Sequence, residues 1–212
     1  MTEYSSVNPL LLKYVEQRII PMYDTFDCGH RPDHVRMVIE RCLEMSPRYD
    51  VDIDMLYAAA AYHDTGLTCG REYHHIESGR IIREDRELKR WFTDEQIEII
   101  ACAAEDHRAS SARQPRSIYG LLVAEADRTI DPLTIIRRTV QYGLSHYPDF
   151  DREGHWNRTL EHLHEKYAEG GYLKLWIPDS PNAARLEELR EIIRDESRLR
   201  QIFGEIYDSF TR

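Results

Sequence analysis

The segment Asp54-Met55-Leu56-Tyr57-Ala58-Ala59-Ala60-Ala61-Tyr62-His63-Asp64-Thr65-Gly66 is small or apolar on every side until it closes on an imidazole and a carboxylate. A helix that is apolar around its whole circumference is a buried helix. The run Ala58 to Ala61 lets neighbouring helices approach it closely. His63 and Asp64 fall at its C-terminal end, where a carboxylate meets the negative end of the helix dipole. A buried carboxylate also costs several kcal/mol in lost hydration unless it is compensated. A divalent cation is the simplest compensation, because adjacent imidazole and carboxylate groups can reach one ion.

Outward from this segment the period is helical. Val35, Val38, Ile39, Cys42 and Leu43 form one stripe, and Ile97, Ile100, Ala101 and Ala104 form another behind a Thr93/Gln96 capping box. Near the C-terminus Leu186, Leu189 and Ile193 precede a second stripe of Leu199, Ile202, Phe203, Ile206 and Phe210. Stripe counting places helices near 9–20, 33–46, 52–65, 73–90, 93–108, 116–129, 132–146, 155–168 and 182–210, the last open to a break. No stretch alternates with period two, so no sheet is expected. The expected fold is all-α: one helical bundle over 1–212, with a core at 25–145 and a C-terminal helical extension at 150–212.

The 212 residues are 42% hydrophobic and 31% charged, with a net charge of -10, which excludes wholesale disorder. An acidic chain lacks the basic footprint of a long nucleic-acid binder. It can still take a phosphorylated small molecule where a metal or an arginine cluster reverses the local sign. Cys28, Cys42, Cys69 and Cys102 form no CxxC pair and read as reduced thiols. With no signal-peptide pattern and no membrane-length apolar run, a cytoplasmic location is expected.

Other ligand-type residues sit on apolar stripes. His34 shares a face with Val38 and Cys42, His75 with Gly79 and Ile82, and His107 with Ile100 and Ala104. Asp127 ends the apolar run from Leu121, with Glu125 as its rival, and periodicity does not choose between the two acids. Buried unpaired polar groups are costly, so a shared metal site is the most economical joint explanation.

The order His34 … His63-Asp64 … Asp127, with "YAAAAYHDTG" and "AEADR" as context, resembles the HD-domain superfamily, and the tail resembles small stand-alone bacterial phosphohydrolases. The resemblance implies an all-α metal-dependent phosphohydrolase. His34, His63, Asp64 and Asp127 would hold a divalent ion such as Mn, Mg, Zn, Co or Fe. His75 in "HHIESG" and His107 in "EDHR" match positions at which some members bind a second ion. Asp106 stands where those members carry another histidine, so one firm site and a weaker second one are expected.

The chemistry so implied is attack of a metal-activated water on a nucleotide or other small phosphorylated metabolite. In a site with one ion, His75 and His107 would contact phosphate or act as general acid, while Asp64 and Glu77 serve as catalytic carboxylates. In a site with two ions the histidines would be ligands and Asp64 would bridge. Glu105 is a further candidate base or supporting partner. Arg31, Arg71, Arg108 and Arg128 flank the motif residues and are the candidate phosphate contacts. His30, His146, His155, His162 and His164 read as surface or loop, and His74 as facing away from the site. The rival readings are a diiron oxygenase of the myo-inositol-oxygenase type and a non-catalytic nucleotide-binding module. No membrane partner is expected, and the apolar C-terminal stripes could pair two copies into a homodimer.

Overall fold

The computed structural model describes residues 4–26, 30–108 and 113–211, and every regular element among them is helical. The chain forms two compact units, Met1–Arg128 and Thr129–Arg212.

The first unit carries α1 (Pro9–Arg18), α2 (Pro32–Met45), α3 (Ile53–Tyr62), α4 (His74–Glu84), α5 (Asp94–Asp106) and α6 (Ile118–Asp127). Its centre is α3. Asp52 caps this helix by accepting the amide N–H groups of Asp54 at 2.9 Å and Met55 at 3.1 Å. Every residue from Met55 to Tyr62 is buried, and α1, α2, α5 and α6 all pack against the helix. Burial of a large side chain such as Leu56 contributes about 1.5–3 kcal/mol. The four alanines add little area each, but they set how closely the surrounding helices approach.

Beyond Asp64 the chain makes a 3-10 turn over Thr65–Cys69 that packs on α4. The Gly66 N–H donates to the buried Ser78 hydroxyl at 2.9 Å. A Cβ at Gly66 would lie 2.0 Å from the His74 carbonyl oxygen and 2.5 Å from the Ser78 nitrogen. Both are backbone atoms that cannot swing aside. Gly66→Ala is therefore expected to cost at least about 1–3 kcal/mol by overpacking and to push the start of α4 away from Asp64. A denaturant melt of the variant with an unchanged midpoint would contradict this.

The stretch 73–90, read as one helix, is two elements. Asp85 interrupts it, since its Oδ1 accepts the Glu87 N–H at 3.0 Å while its Oδ2 accepts the hydroxyls of Tyr14 and Tyr62, each at 2.6 Å. A side chain so engaged holds its backbone outside helical geometry, and a 3-10 turn, Arg86–Arg90, follows. The capping box at Thr93 and Gln96 is formed as expected.

The second unit carries α7 (Pro132–His146), α8 (Arg152–Tyr167), α9 (Pro181–Arg194) and α10 (Glu196–Thr211). The stretch 182–210 divides at Asp195, whose Oδ1 accepts the Arg198 N–H at 3.0 Å and starts a new helix. Leu186, Leu189, Ile193, Leu199, Phe203 and Ile206 are buried in one core with Trp156, while Phe210 is exposed. His155 is not the surface or loop residue expected; it is buried, with the rings of Phe150 and Tyr207 beside it. Cys42, Cys69 and Cys102 are free thiols, and Cys28 lies outside the described residues. No described helix is long and apolar enough to cross a membrane.

Candidate metal centre

Three helices of the first unit point their C-terminal ends at one place. His63 caps α3, His107 caps α5, and Asp127 is the last residue of α6. Each end contributes partial negative charge from its free carbonyls. His34 enters from the first turn of α2 and His74 from the first residue of α4. Asp64 lies at the centre, nearly inaccessible to solvent.

The donors fall into two sets that share this carboxylate. His34, His63, Asp64 and Asp127 form one set, and Asp64, His74 and His107 form the other, with the ligating atoms of each set all within 4.8 Å of one another. Oδ2 of Asp64 faces the first set, at 3.2 Å from His63 Nε2 and 3.7 Å from His34 Nε2. Oδ1 faces the second, at 3.4 Å from His74 Nε2 and 3.3 Å from His107 Nε2. Asp127 Oδ1 lies 3.1 Å from His34 Nε2 and 3.7 Å from His63 Nε2.

The backbone settles which ring nitrogens are free. Nδ1–H donates to the carbonyl three residues back in His63 (Ala60, 2.8 Å), His107 (Ala104, 2.5 Å) and His74 (Arg71, 2.7 Å). A carbonyl only accepts, so the neutral ring presents a bare Nε2 lone pair to the cluster. The Nε2 atoms of His74 and His107 are 3.3 Å apart, a contact that two lone pairs make favourably only around a proton or a cation. Those of His34 and His63 are buried and face the carboxylate oxygens of Asp64 and Asp127. Metal–donor bonds of about 2.1 Å place neighbouring ligands about 3.0 Å apart at right angles and about 3.4 Å apart at tetrahedral angles. The shortest donor separations match these values, so the residues present fit divalent ions.

Electrostatics carry the same demand. Burial would raise the Asp64 carboxyl, yet the imidazolium character of His63 and the hydrogen bonds from His107, His34 and His63 hold it far below the usual range. Asp127 is lowered likewise, with burial opposed by His34 and His63. In return His34 is raised, as hydrogen bonds to Asp127 and Asp64 overcome burial. His63 is raised well above its ordinary value, with burial overcome by Asp64 and Asp127. The two carboxylates that would receive a cation also favour a proton on His34 and His63. The contribution of the two raised histidines to stability is complete below about pH 6.5, the unfolded value, and is lost as pH climbs through their folded values. The contribution of the lowered aspartates is present above about pH 4 and is lost in acid. In EDTA the melting temperature is therefore expected to fall from pH 6.5 upward. Mn²⁺ should offset that fall, since bound metal displaces these protons. A pH-independent melting temperature in EDTA over this window would contradict the arrangement.

The cluster unites His34, His63, Asp64, Asp127 and His107, but the second set is completed by His74 and not by His75. The buried face of α4 runs through Ser78, Gly79 and Ile82, and His74 stands one turn before Ser78 and two turns before Ile82. Ser78 tolerates burial because its hydroxyl accepts the Gly66 N–H, and a polar residue on the inner face shifts the apparent stripe by one position. His75 lies within the field of Arg108, and its imidazole is pushed down to about 4 by burial and then by that guanidinium. Asp106, expected to weaken the second site, is instead held by the Arg116 backbone N–H at 2.7 Å and by its guanidinium. Glu77 is bound to Arg80 and to the Cys69 thiol, and Glu105 to Arg83 and Arg116, so neither carboxylate joins the cluster. Of the two rival acids it is Asp127 that joins it, while Glu125 is buried outside both donor sets.

The arginines differ among themselves. Arg108 lies close enough to lower both His74 and His75, and its Nη1 donates to the Glu72 carbonyl at 3.0 Å. Arg31 donates to the Asp24 carbonyl at 2.8 Å, and Arg71 is exposed beside the carbonyl that fixes His74. Arg128 is buried, and burial lowers its guanidinium against the fields of Glu125 and Asp127. His30, read as surface or loop, lies at the cluster, its Nε2 3.9 Å from Asp64 Oδ2 and its ring 5.5 Å from that of His34. It precedes α2, so no helical period could have found it.

The family model for the HD domain matches residues 31–130, a span that contains every residue of both donor sets. No curated protein and no solved structure gives a match.

Proposed function

On the premise that residues 31–130 are an HD domain, a family whose members are generally metal-dependent hydrolases, we propose that this chain hydrolyses a nucleotide or another small phosphorylated metabolite. The observation that carries the reading is the division of one carboxylate: Asp64 turns each oxygen to a different pair of imidazole nitrogens. Divalent ions held there supply Lewis-acid stabilisation of phosphate charge and lower the pKa of coordinated water toward about 7. Mixed imidazole and carboxylate donors suit Mn, Fe, Co or Zn better than Mg, which favours an all-oxygen shell.

The protein's own residues do the rest. The backbone carbonyls of Ala60, Arg71 and Ala104 hold three imidazoles in one tautomer, so no ring has to reorient during turnover. His63, Asp64 and His107 form a floor closed to solvent, while His34, His74 and Asp127 keep an open edge through which a substrate enters. Arg108, beside the second set, is the best placed of the arginines to hold a phosphoryl group.

The test pairs elemental analysis of the purified protein with a panel of nucleotides and phosphomonoesters under anaerobic conditions in Mn²⁺. Phosphate release that tracks metal content is the expected result. The same six donors also suit two irons, which keeps an oxygenase as the second reading. Tightly bound iron with a visible absorption band, together with oxygen-dependent turnover and no phosphate release, would favour it.

A further inference from the structure

His30 belongs to neither donor set, yet it is aimed at their centre. Its Nε2 stands 3.9 Å from Oδ2 of Asp64, the oxygen turned to His34 and His63. That separation is too long for a direct hydrogen bond and leaves room for one intervening atom. The ring meets the His34 ring edge-on, with an interplanar angle of 76°. Its side chain is 20% accessible where that of His63 is fully enclosed, so it stands on the open side of the first set. The position is built. Pro32 starts α2 directly after the segment, and Arg31 ties it to the Asp24 carbonyl.

We infer that His30 is a substrate-contacting residue, whose ring N–H donates to a phosphoryl oxygen seated over the first donor set. This rests on the phosphohydrolase reading and adds a residue to it. The first set already brings four protein donors together, and an octahedral ion has two further positions for water and substrate. A ligand there would lie on the open side, between Asp64 Oδ2 and the His30 ring. An imidazole N–H offers a phosphoryl oxygen a directed donor; it does not compete for the ion as a further carboxylate would. The class of ligand is therefore an oxyanion with a terminal phosphoryl group.

The probe is inorganic phosphate, titrated calorimetrically into the Mn²⁺-loaded protein, with manganese affinity and content measured separately. His30 is partly exposed outside any helix, so His30→Ala should leave the melting temperature and the manganese content unchanged. Loss of one hydrogen bond to a charged group is expected to weaken phosphate binding about tenfold to a hundredfold. His30→Gln, which keeps an N–H donor, should recover part of that loss. Phosphate binding to His30→Ala at wild-type strength would overturn the inference. So would a loss of manganese, because His30 would then be a ligand, and so would a manganese-loaded wild type that binds no phosphate. A wild type that takes up no manganese would instead bring down the metal-dependent reading beneath it.

Discussion

Asp64→Ala is expected to lose bound metal and to reduce turnover on the order of 10³-fold or more. The size follows from position. Oδ2 is shared with His34 and His63, and Oδ1 with His74 and His107, so one truncation removes a donor from each set. Charge stabilisation by a metal is worth several kcal/mol, and each 1.36 kcal/mol is about tenfold in rate. The fold should survive, because α3 closes at Tyr62 and its N-terminal cap is Asp52. In EDTA the variant should also lose much of the pH dependence of melting, since Asp64 heads the causes that raise His63 against its burial. The measurements are metal content by elemental analysis, phosphate release, and far-UV circular dichroism as the control for folding. Wild-type turnover in a folded, metal-free Asp64→Ala protein would end the proposed mechanism.

The second large effect separates two adjacent histidines. His74→Ala should lower the metal content and reduce turnover by at least about 10²-fold, in line with the loss of a metal-ordering group. His75→Ala should keep its metal content and stay within a few-fold of wild type. Only His74 points Nε2 at Asp64 and His107, and only His74 has its Nδ1–H fixed by the Arg71 carbonyl. Metal loss in His75→Ala with full occupancy in His74→Ala would return the ligand role to His75.

These two residues mark how far the site was legible. His63, Asp64, His34 and His107 could be found because each interrupts a long apolar stripe, and a polar group on such a stripe must be satisfied by something; Asp127 was set above Glu125 by the family resemblance alone. His74 could not, because the inner face of α4 is itself partly polar. Ser78 is buried on that face as the partner of the Gly66 amide, a contact across twelve residues that no local pattern contains. His30 lies just before its helix, where periodicity has no purchase. Glu77, Glu105 and Arg128 are engaged away from the two donor sets for a related reason. Each lies near the motif in sequence, but a side chain is claimed by the partner it reaches in space: Arg80 for Glu77, Arg83 and Arg116 for Glu105, and burial near Glu125 and Asp127 for Arg128.

Helix breaks divide along the same line. Thr93 and Gln96 announce a start because the capping box is contained within four residues. Asp85 ends α4 because Tyr14 and Tyr62 reach it from other helices.

From its amino-acid order alone the chain was committed to an all-helical fold and to a set of acids and imidazoles on buried faces, because hydrophobic period and local capping act over a few residues. Tertiary structure alone decided which neighbour of each pair turns inward and that one carboxylate serves two donor sets. Those outcomes depend on the angles at which separate helix ends meet, and packing between distant segments sets those angles.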